Sequence, residues 1–106
     1  MELLEKIDIR VGTIRSVTDV PNSDKLVQLR VSFGDHERTI VAGMKKERAD
    51  PREIEGKQAL FVVNLESRTM RGVVSEGMLF DIGFSDRINP VLAVPECPVP
   101  DGARAG

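Results

Sequence analysis

The sequence predicts an all-β protein folded as a small barrel of five strands, and three features carry that prediction. Polar and apolar residues alternate with a period of two in several segments, which is typical of strands with one buried and one solvated face. The first of these segments changes phase near a glycine, and only one short helix is indicated among the strands. A chain of 106 residues suits one hydrophobic core, so we expect a single domain over residues 1–106.

The first predicted strand, IDIRVGTIRSV, changes phase along its length. Ile7, Ile9 and Val11 lie on odd positions, whereas Ile14 lies on an even one. Such a change at Gly12 indicates a bulge or a sharp bend. A strand bent in this way can pair on two sides of a small barrel.

The second and third predicted strands form a hairpin. In KLVQLRVSF the odd positions are apolar and the positions between them are mostly polar. Gly34 and Asp35 then make a turn into ERTIVAG, the other arm of the hairpin.

A short helix is predicted between the third and fourth strands, within ERADPREIEGK. Asp50 can cap this helix, Pro51 suits its first turn, Glu53 completes a capping box and Gly56 can end it.

The fourth strand contains ALFVV, residues 59–63, which is apolar on both of its alternating faces. Either one face meets a partner subunit, or the chain's own helix and termini cover both faces. From Pro90 onward a short strand, VLAV, precedes a proline-rich extension that can lie along a sheet edge but cannot enter a central ladder.

Together these elements describe a five-stranded Greek-key barrel of the OB type, with one short helix between strands 3 and 4 and a C-terminal extension. A small sandwich or an SH3-like barrel is the alternative.

Composition excludes several classes of function. One cysteine, Cys97, and one histidine, His36, cannot form an internal disulfide or a zinc site with several Cys or His ligands. The sequence has neither a phosphate-loop motif nor G-x-S-x-G, and His36 in the turn GDHER is expected to be a solvent-exposed turn residue. We therefore expect no enzyme activity and no cofactor.

The N-terminus MELLEKIDIR lacks the features of a signal peptide, and no apolar run approaches the roughly 18 residues of a membrane helix. We expect a cytoplasmic protein without a membrane partner. The formal net charge of −2 argues against nucleic-acid binding driven by overall charge, so any such site must be a local patch.

Two local basic clusters could form such a patch. Lys45, Lys46 and Arg48 follow the third strand, and Arg68 and Arg71 lie within NLESRTMRGVVSEGMLF, residues 64–80. Taken alone, each cluster is more often a solvated face.

The 64–80 segment also carries side chains suited to RNA. Asn64 can hydrogen-bond a base edge, Ser75 can bond a phosphate or ribose, and Met78 can offer a polarisable contact to a base. Alternatively, the methionines of this segment pack in the core and its glycines simply form turns.

Several spaced motifs, in this order, resemble the tRNA-binding OB domain: IDIRVGTI, PNSDKLVQLRVSFGD, RTIVAGMK, GKQALFVVNL, MRGVVSEGMLF and PVPDGARAG. That domain occurs at the C-terminus of many methionyl-tRNA synthetases, in related free-standing tRNA-binding proteins and in endothelial-monocyte-activating polypeptide. The resemblance implies a non-catalytic, structure-reading tRNA binder, usually a homodimer, acting as a free-standing accessory to a methionyl-tRNA synthetase chain.

The positions that match the contact residues of this family are Asn64, Arg71, Ser75 and Met78. Lys45 and Lys46 would extend the same surface electrostatically. Thr69 stands where the family often has a lysine, and the nearest basic group is Arg68. The chain has no Tyr or Trp, so stacking on those rings is not available, and we expect the affinity for RNA either to be weaker or to depend more on charge.

The secretion chaperone CsaA is a same-fold relative, and a chaperone that binds unfolded polypeptides is the main alternative. Because PNSDKL, MRG and SEGM are all present, the sequence favours the tRNA binder. A purely structural dimerisation module is a third hypothesis, and it would need protein to cover the SEGM surface.

Overall fold

The structure is a computed structural model that describes residues 6–106. The strands are β1 (Ile9–Asp19), β2 (Val27–Ser32), β3 (Glu37–Ala42), β4 (Gln58–Val62), β5 (Arg68–Met70), β6 (Val73–Ser75), β7 (Met78–Leu79), β8 (Asp81–Ile82) and β9 (Val91–Leu92). Two single-turn 3-10 helices, η1 (Pro51–Ile54) and η2 (Phe84–Asp86), lie between strands of the chain. Neither is long and apolar enough to cross a membrane.

Five strands form one curled antiparallel sheet in the order β3-β2-β1-β4-β7, and β5–β6 and β8–β9 are separate two-stranded hairpins. This arrangement confirms the predicted all-β fold of the OB type. The predicted second and third strands correspond to β2 and β3, which pair from Val27 and Ala42 to Ser32 and Glu37.

Strand β1 is shared between two neighbours, as the change of phase indicated. It pairs with β4 through residues 9–13 and with β2 through residues 13–19. The register shifts between Ile14 and Ser16, so the irregularity lies after Gly12 rather than at it. Gly12 has a different role: a Cβ there would lie 2.5 Å from Cγ1 of Val31, so the glycine lets β1 cross close to β2.

The interior of the curled sheet holds the hydrophobic core. Its largest fully buried side chains include Ile14, Leu29, Ile40 and Phe61, and η1 adds Ile54. The predicted helix is present as one 3-10 turn, capped by Asp50, whose Oδ1 accepts a hydrogen bond from the Arg52 amide at 3.0 Å.

Glu53 does not complete the expected capping box. Its Oε1 accepts a hydrogen bond from Nη1 of Arg48 at 2.8 Å instead. A single 3-10 turn presents few unpaired amides, and the guanidinium is the stronger donor because the bond is charge-assisted.

The barrel closes between β3 and the segment from β6 to β7 without a regular ladder. The Glu76 amide donates to the Thr39 carbonyl at 2.8 Å, and Oε1 of Glu76 accepts from the Thr39 amide at 3.0 Å. Nη1 of Arg38 adds bonds to the carbonyls of Val63 at 2.7 Å and Glu76 at 3.1 Å. Side chains therefore make much of this closure.

The C-terminal extension lies along an edge of β1, as predicted. The Gly102 amide donates to the Val11 carbonyl at 2.8 Å, and the Val11 amide donates to the Ala103 carbonyl at 2.9 Å. Asp101 fastens the extension, because its Oδ1 accepts from Oγ1 of Thr13 at 2.6 Å and from Nε2 of Gln58 at 3.0 Å. The extension thus completes the part of β1 that β2 does not reach.

ALFVV does not present an apolar face to solvent. Four of its five side chains are buried within the chain, and Leu60 is half-buried where residues 80 and 93 bond to its backbone. The chain's own segments therefore cover β4, and the alternative of a partner on this strand is not needed. Exposed apolar side chains occur further along: Phe80, Ile82, Phe84, Ile88, Val91 and Val94.

Candidate nucleic-acid interface

The β5–β6 hairpin displays the two arginines of the 64–80 segment. Arg71 and Gly72 form its two-residue turn, with φ of 51° and 83°, the left-handed conformation that tight hairpins require. The left-handed conformation explains why residue 72 is a glycine. The same turn places the Arg71 side chain at the exposed tip of the hairpin. Arg68 lies on β5 opposite Ser75 and is also exposed.

Both arginines are available to a ligand. Within residues 6–106, no acidic side chain forms an ion pair with Arg68 or Arg71, whereas Arg10, Arg30 and Arg48 each have a carboxylate partner. A guanidinium in this situation can bind a phosphate without first breaking an ion pair.

Ser75 is buried and contributes to closure of the barrel. Its Oγ accepts a hydrogen bond from the Val41 amide and donates one to the Gly77 carbonyl, each at 2.9 Å. Only 4% of the residue is exposed. The structure thus gives Ser75 a structural role, and a phosphate or ribose would reach it only by displacing these bonds.

Met78 lies at an open pocket of about 150 Å³ between β7 and the residues that follow β3, and we call it the methionine pocket. The Met78 side chain is about half exposed, so it is available for contact and is not a core residue. Gly77 before it packs tightly against the chain itself, since a Cβ there would lie 2.9 Å from the Val62 carbonyl oxygen.

The methionine pocket carries two carboxylates, Glu47 and Asp81. Burial, followed by the charge of Asp81, raises the pKa of Glu47, while Arg48 opposes this shift. Because both groups are acidic, the pocket itself is unsuited to phosphate. Contacts to an RNA backbone must come from the basic residues around it.

Lys45 and Lys46 lie in the loop after β3 and pair with one acid at the end of β1 and one in the loop that follows it. Nζ of Lys45 lies 3.5 Å from Oδ1 of Asp19, and Nζ of Lys46 lies 3.9 Å from Oδ2 of Asp24. All four groups are at least partly exposed, so these pairs are weak and can exchange for a phosphate.

Asn64 follows the end of β4, two residues after Val62, which pairs with Met78, but its side chain is turned to the segment before β1. Its Oδ1 accepts from the Asp8 amide at 3.0 Å, and its Nδ2 donates to the Lys6 carbonyl. The amide therefore holds the segment before β1, and both of its polar groups already have partners.

The structure thus divides the predicted site. Arg68 and Arg71 share the hairpin, and Met78 lies beyond the hairpin next to the loop that carries Lys45. Asn64 follows the end of β4 at which Val62 pairs with Met78, and its side chain binds the segment before β1. Ser75 belongs to the interior.

A second polar pocket, which sequence reasoning missed, lies at the end of the barrel beside Asn64. This barrel-end pocket has a volume of about 360 Å³ and is lined in part by Asp8, Arg10, Phe33, His36, Arg38 and Asn64. Together with Gly102 these residues come from four distant parts of the sequence, so no local spacing predicts the cluster. The residues 6–106 contain no group of three or more His, Cys, Asp or Glu side chains that could hold a metal ion.

Comparison with known families decides the relationship. The model of the putative tRNA binding domain matches residues 9–104, which span β1 to the C-terminal extension. The chain belongs to the putative tRNA-binding domain family.

Curated relatives of this tRNA-binding domain include methionine–tRNA ligases. The ligase of Parabacteroides distasonis is 42% identical over 93% of the chain, and that of Pyrococcus horikoshii is 43% identical over 93% of the chain. The chain spans only 14% and 13% of these two relatives.

Solved structures show the same fold. The MetRS related protein from Pyrococcus horikoshii is 36% identical with a TM-score of 0.90, covering 99% of this chain and 94% of that chain. The CsaA chaperone protein from Picrophilus torridus is 26% identical with a TM-score of 0.84, covering 99% and 96%. The tRNA-binding domain fold is therefore shared by a synthetase-related protein and a chaperone.

Proposed function

We propose that this chain binds tRNA without catalysing a reaction, as a free-standing cytoplasmic accessory that holds tRNA for a methionyl-tRNA synthetase. The observation that carries the proposal is the exposed β5–β6 hairpin of a tRNA-binding domain, on which Arg68 and Arg71 have no acidic partner among residues 6–106. The free-standing role is supported by likeness to the MetRS related protein, most of whose length this chain covers.

The proposed RNA contacts are of two chemical kinds, charged and apolar. Arg71, Arg68 and the two loop lysines supply positive charge for the phosphates, which offsets the negative net charge of the whole chain locally. Met78 supplies a polarisable surface for a base or ribose. A binder built this way recognises the shape and backbone of tRNA more than its sequence.

Arg71→Ala tests the backbone contact. We expect weaker binding to all tRNAs alike, with the slope of log affinity against log salt concentration reduced by about one. Because Arg71 is exposed and its side chain makes no hydrogen bond within residues 6–106, the variant should unfold at the same temperature as the unaltered protein. Fluorescence anisotropy with labelled tRNA at several salt concentrations measures both quantities.

Two further variants sharpen this experiment. Arg71→Lys keeps the charge and should keep the salt slope. Arg15→Ala removes an exposed arginine from β1, which does not adjoin the hairpin, and should change little. An equal effect of Arg71→Ala and Arg15→Ala would show that Arg71 is only part of a solvated face.

The exposed apolar side chains between Phe80 and Val94 support a homodimer. Six large apolar residues of this region are each more than two-fifths exposed, which is more than scattered surface hydrophobics require. A second copy of the chain is the proposed occupant, because burying this region would add stability to a small barrel. Sedimentation equilibrium of the unaltered protein and of Phe84→Glu tests it, and only the variant should be monomeric.

The alternative function is that of a chaperone for unfolded polypeptides. It is favoured by the same apolar region and by the structural likeness to CsaA. Competition between tRNA and an unfolded polypeptide separates the two proposals.

A further inference from the structure

The barrel-end pocket has an aromatic floor. Phe33 is almost fully buried, and the His36 imidazole stacks on it with ring centroids 5.7 Å apart and an interplanar angle of 24°. The guanidinium carbon of Arg38 lies 6.0 Å from the centroid of the Phe33 ring. Three flat groups therefore meet in a chain that is poor in aromatic residues.

Both ring nitrogens of His36 already have hydrogen-bond partners, so a ligand can contact this side chain through the face of the ring. Nδ1 of His36 lies 2.6 Å from Oδ1 of Asp35, and Nε2 accepts a hydrogen bond from Nε of Arg38 at 3.3 Å. This pattern suits the neutral ring with its proton on Nδ1. One face of the ring rests on Phe33, yet 47% of the side chain is exposed. The open surface of His36 is thus a flat platform.

Both acidic and basic side chains line the barrel-end pocket. Arg10 pairs with Asp8 at 3.1 Å, and His36 lies between Arg38 and Asp35 through its two ring nitrogens. The hydrogen bond from His36 lowers the pKa of Asp35. An isolated phosphate would meet carboxylates as well as guanidiniums here. A flat group with both donors and acceptors on its edge fits better.

We propose that the barrel-end pocket binds one unpaired nucleobase of the RNA ligand, stacked on the exposed face of His36 with its edge bonded by the aspartates and arginines of the rim. Proteins recognise unpaired RNA bases by stacking them on aromatic rings, histidine included, and by bonding their edges. The inference rests on the proposed function and adds a base contact at the opposite end of β4 from η1.

His36 is the only histidine of the chain, so its imidazole protons are a unique NMR probe. The first test titrates the unaltered protein with a short single-stranded RNA of mixed sequence and, separately, with a blunt RNA duplex. Stacking of a base should shift the imidazole proton signals upfield in a saturable manner with the single strand only. Unchanged signals at saturation with the single strand would overturn the inference.

Two variants extend the test to tRNA. His36→Ala should weaken tRNA binding by about fivefold or more while leaving the salt slope unchanged, since stacking releases no counterions. His36→Phe keeps a flat ring and should retain most of the affinity. Thermal unfolding of each variant controls for the loss of the contact with Phe33.

These experiments distinguish a failure of the base contact from a failure of the proposed function. If the unaltered protein binds tRNA and His36→Ala binds it equally well, the base contact is wrong and the proposed function stands. If the unaltered protein does not bind tRNA at all, both proposals fall.

Discussion

Gly12→Ala should destabilise the fold by about 2 to 3 kcal/mol, the cost of overpacking a well-filled core. The added Cβ would lie 2.5 Å from Cγ1 of Val31 and 2.9 Å from Cε1 of Phe33. Both neighbours are buried, and Val31 is β-branched, so neither side chain can move aside easily. Urea unfolding followed by circular dichroism would show a lower midpoint with a similar slope.

Gly43→Ala is the matched control. A Cβ at Gly43 meets only Cδ2 of Leu26, at the ordinary contact distance of 3.9 Å. Replacing a glycine where space and backbone allow it leaves stability unchanged or raises it slightly, because the unfolded chain loses freedom. If Gly12→Ala behaved like Gly43→Ala, the close crossing of β1 over β2 would be wrong.

Ser75→Ala should cost about 1 to 3 kcal/mol in the free energy of unfolding. The change leaves the Val41 amide and the Gly77 carbonyl without their partner at the seam between β3 and β6. Urea unfolding measures the cost, and Ser85→Ala, at an exposed position in η2, supplies the comparison.

Ser75→Ala also distinguishes a structural role of the hydroxyl from a direct contact with tRNA. If the hydroxyl acts through the fold, tRNA affinity measured well below the unfolding temperature should change little. Full stability together with a large loss of tRNA affinity would contradict the structural role and support the direct contact that the family resemblance implies.

Local patterns predicted the elements of this fold because each of them depends on neighbours in the sequence. The alternation in KLVQLRVSF, the cap at Asp50 and the proline-rich extension all act over a few residues. The OB arrangement followed from their order along the chain. The bulge fell after Gly12 because the pattern records a change of phase but not which residue is left unpaired.

The candidate site depends on contacts between distant residues, so less of it could be predicted. The exposed positions of Arg68, Arg71 and Met78 agree with a binding surface. A serine hydroxyl looks the same in sequence whether it faces solvent or, like Ser75, an amide 34 residues away. The barrel-end pocket joins residues near positions 8, 36, 64 and 102, a combination that only the fold assembles.

Binding of bulk tRNA across a salt series, with duplex DNA and an unfolded polypeptide as competitors, tests the central proposal most directly. We expect saturable tRNA binding that weakens as salt rises and that neither competitor displaces efficiently, because the contacts are local and depend on the shape of tRNA. Absence of tRNA binding at low salt, together with binding of the unfolded polypeptide, would contradict the proposal and favour a chaperone.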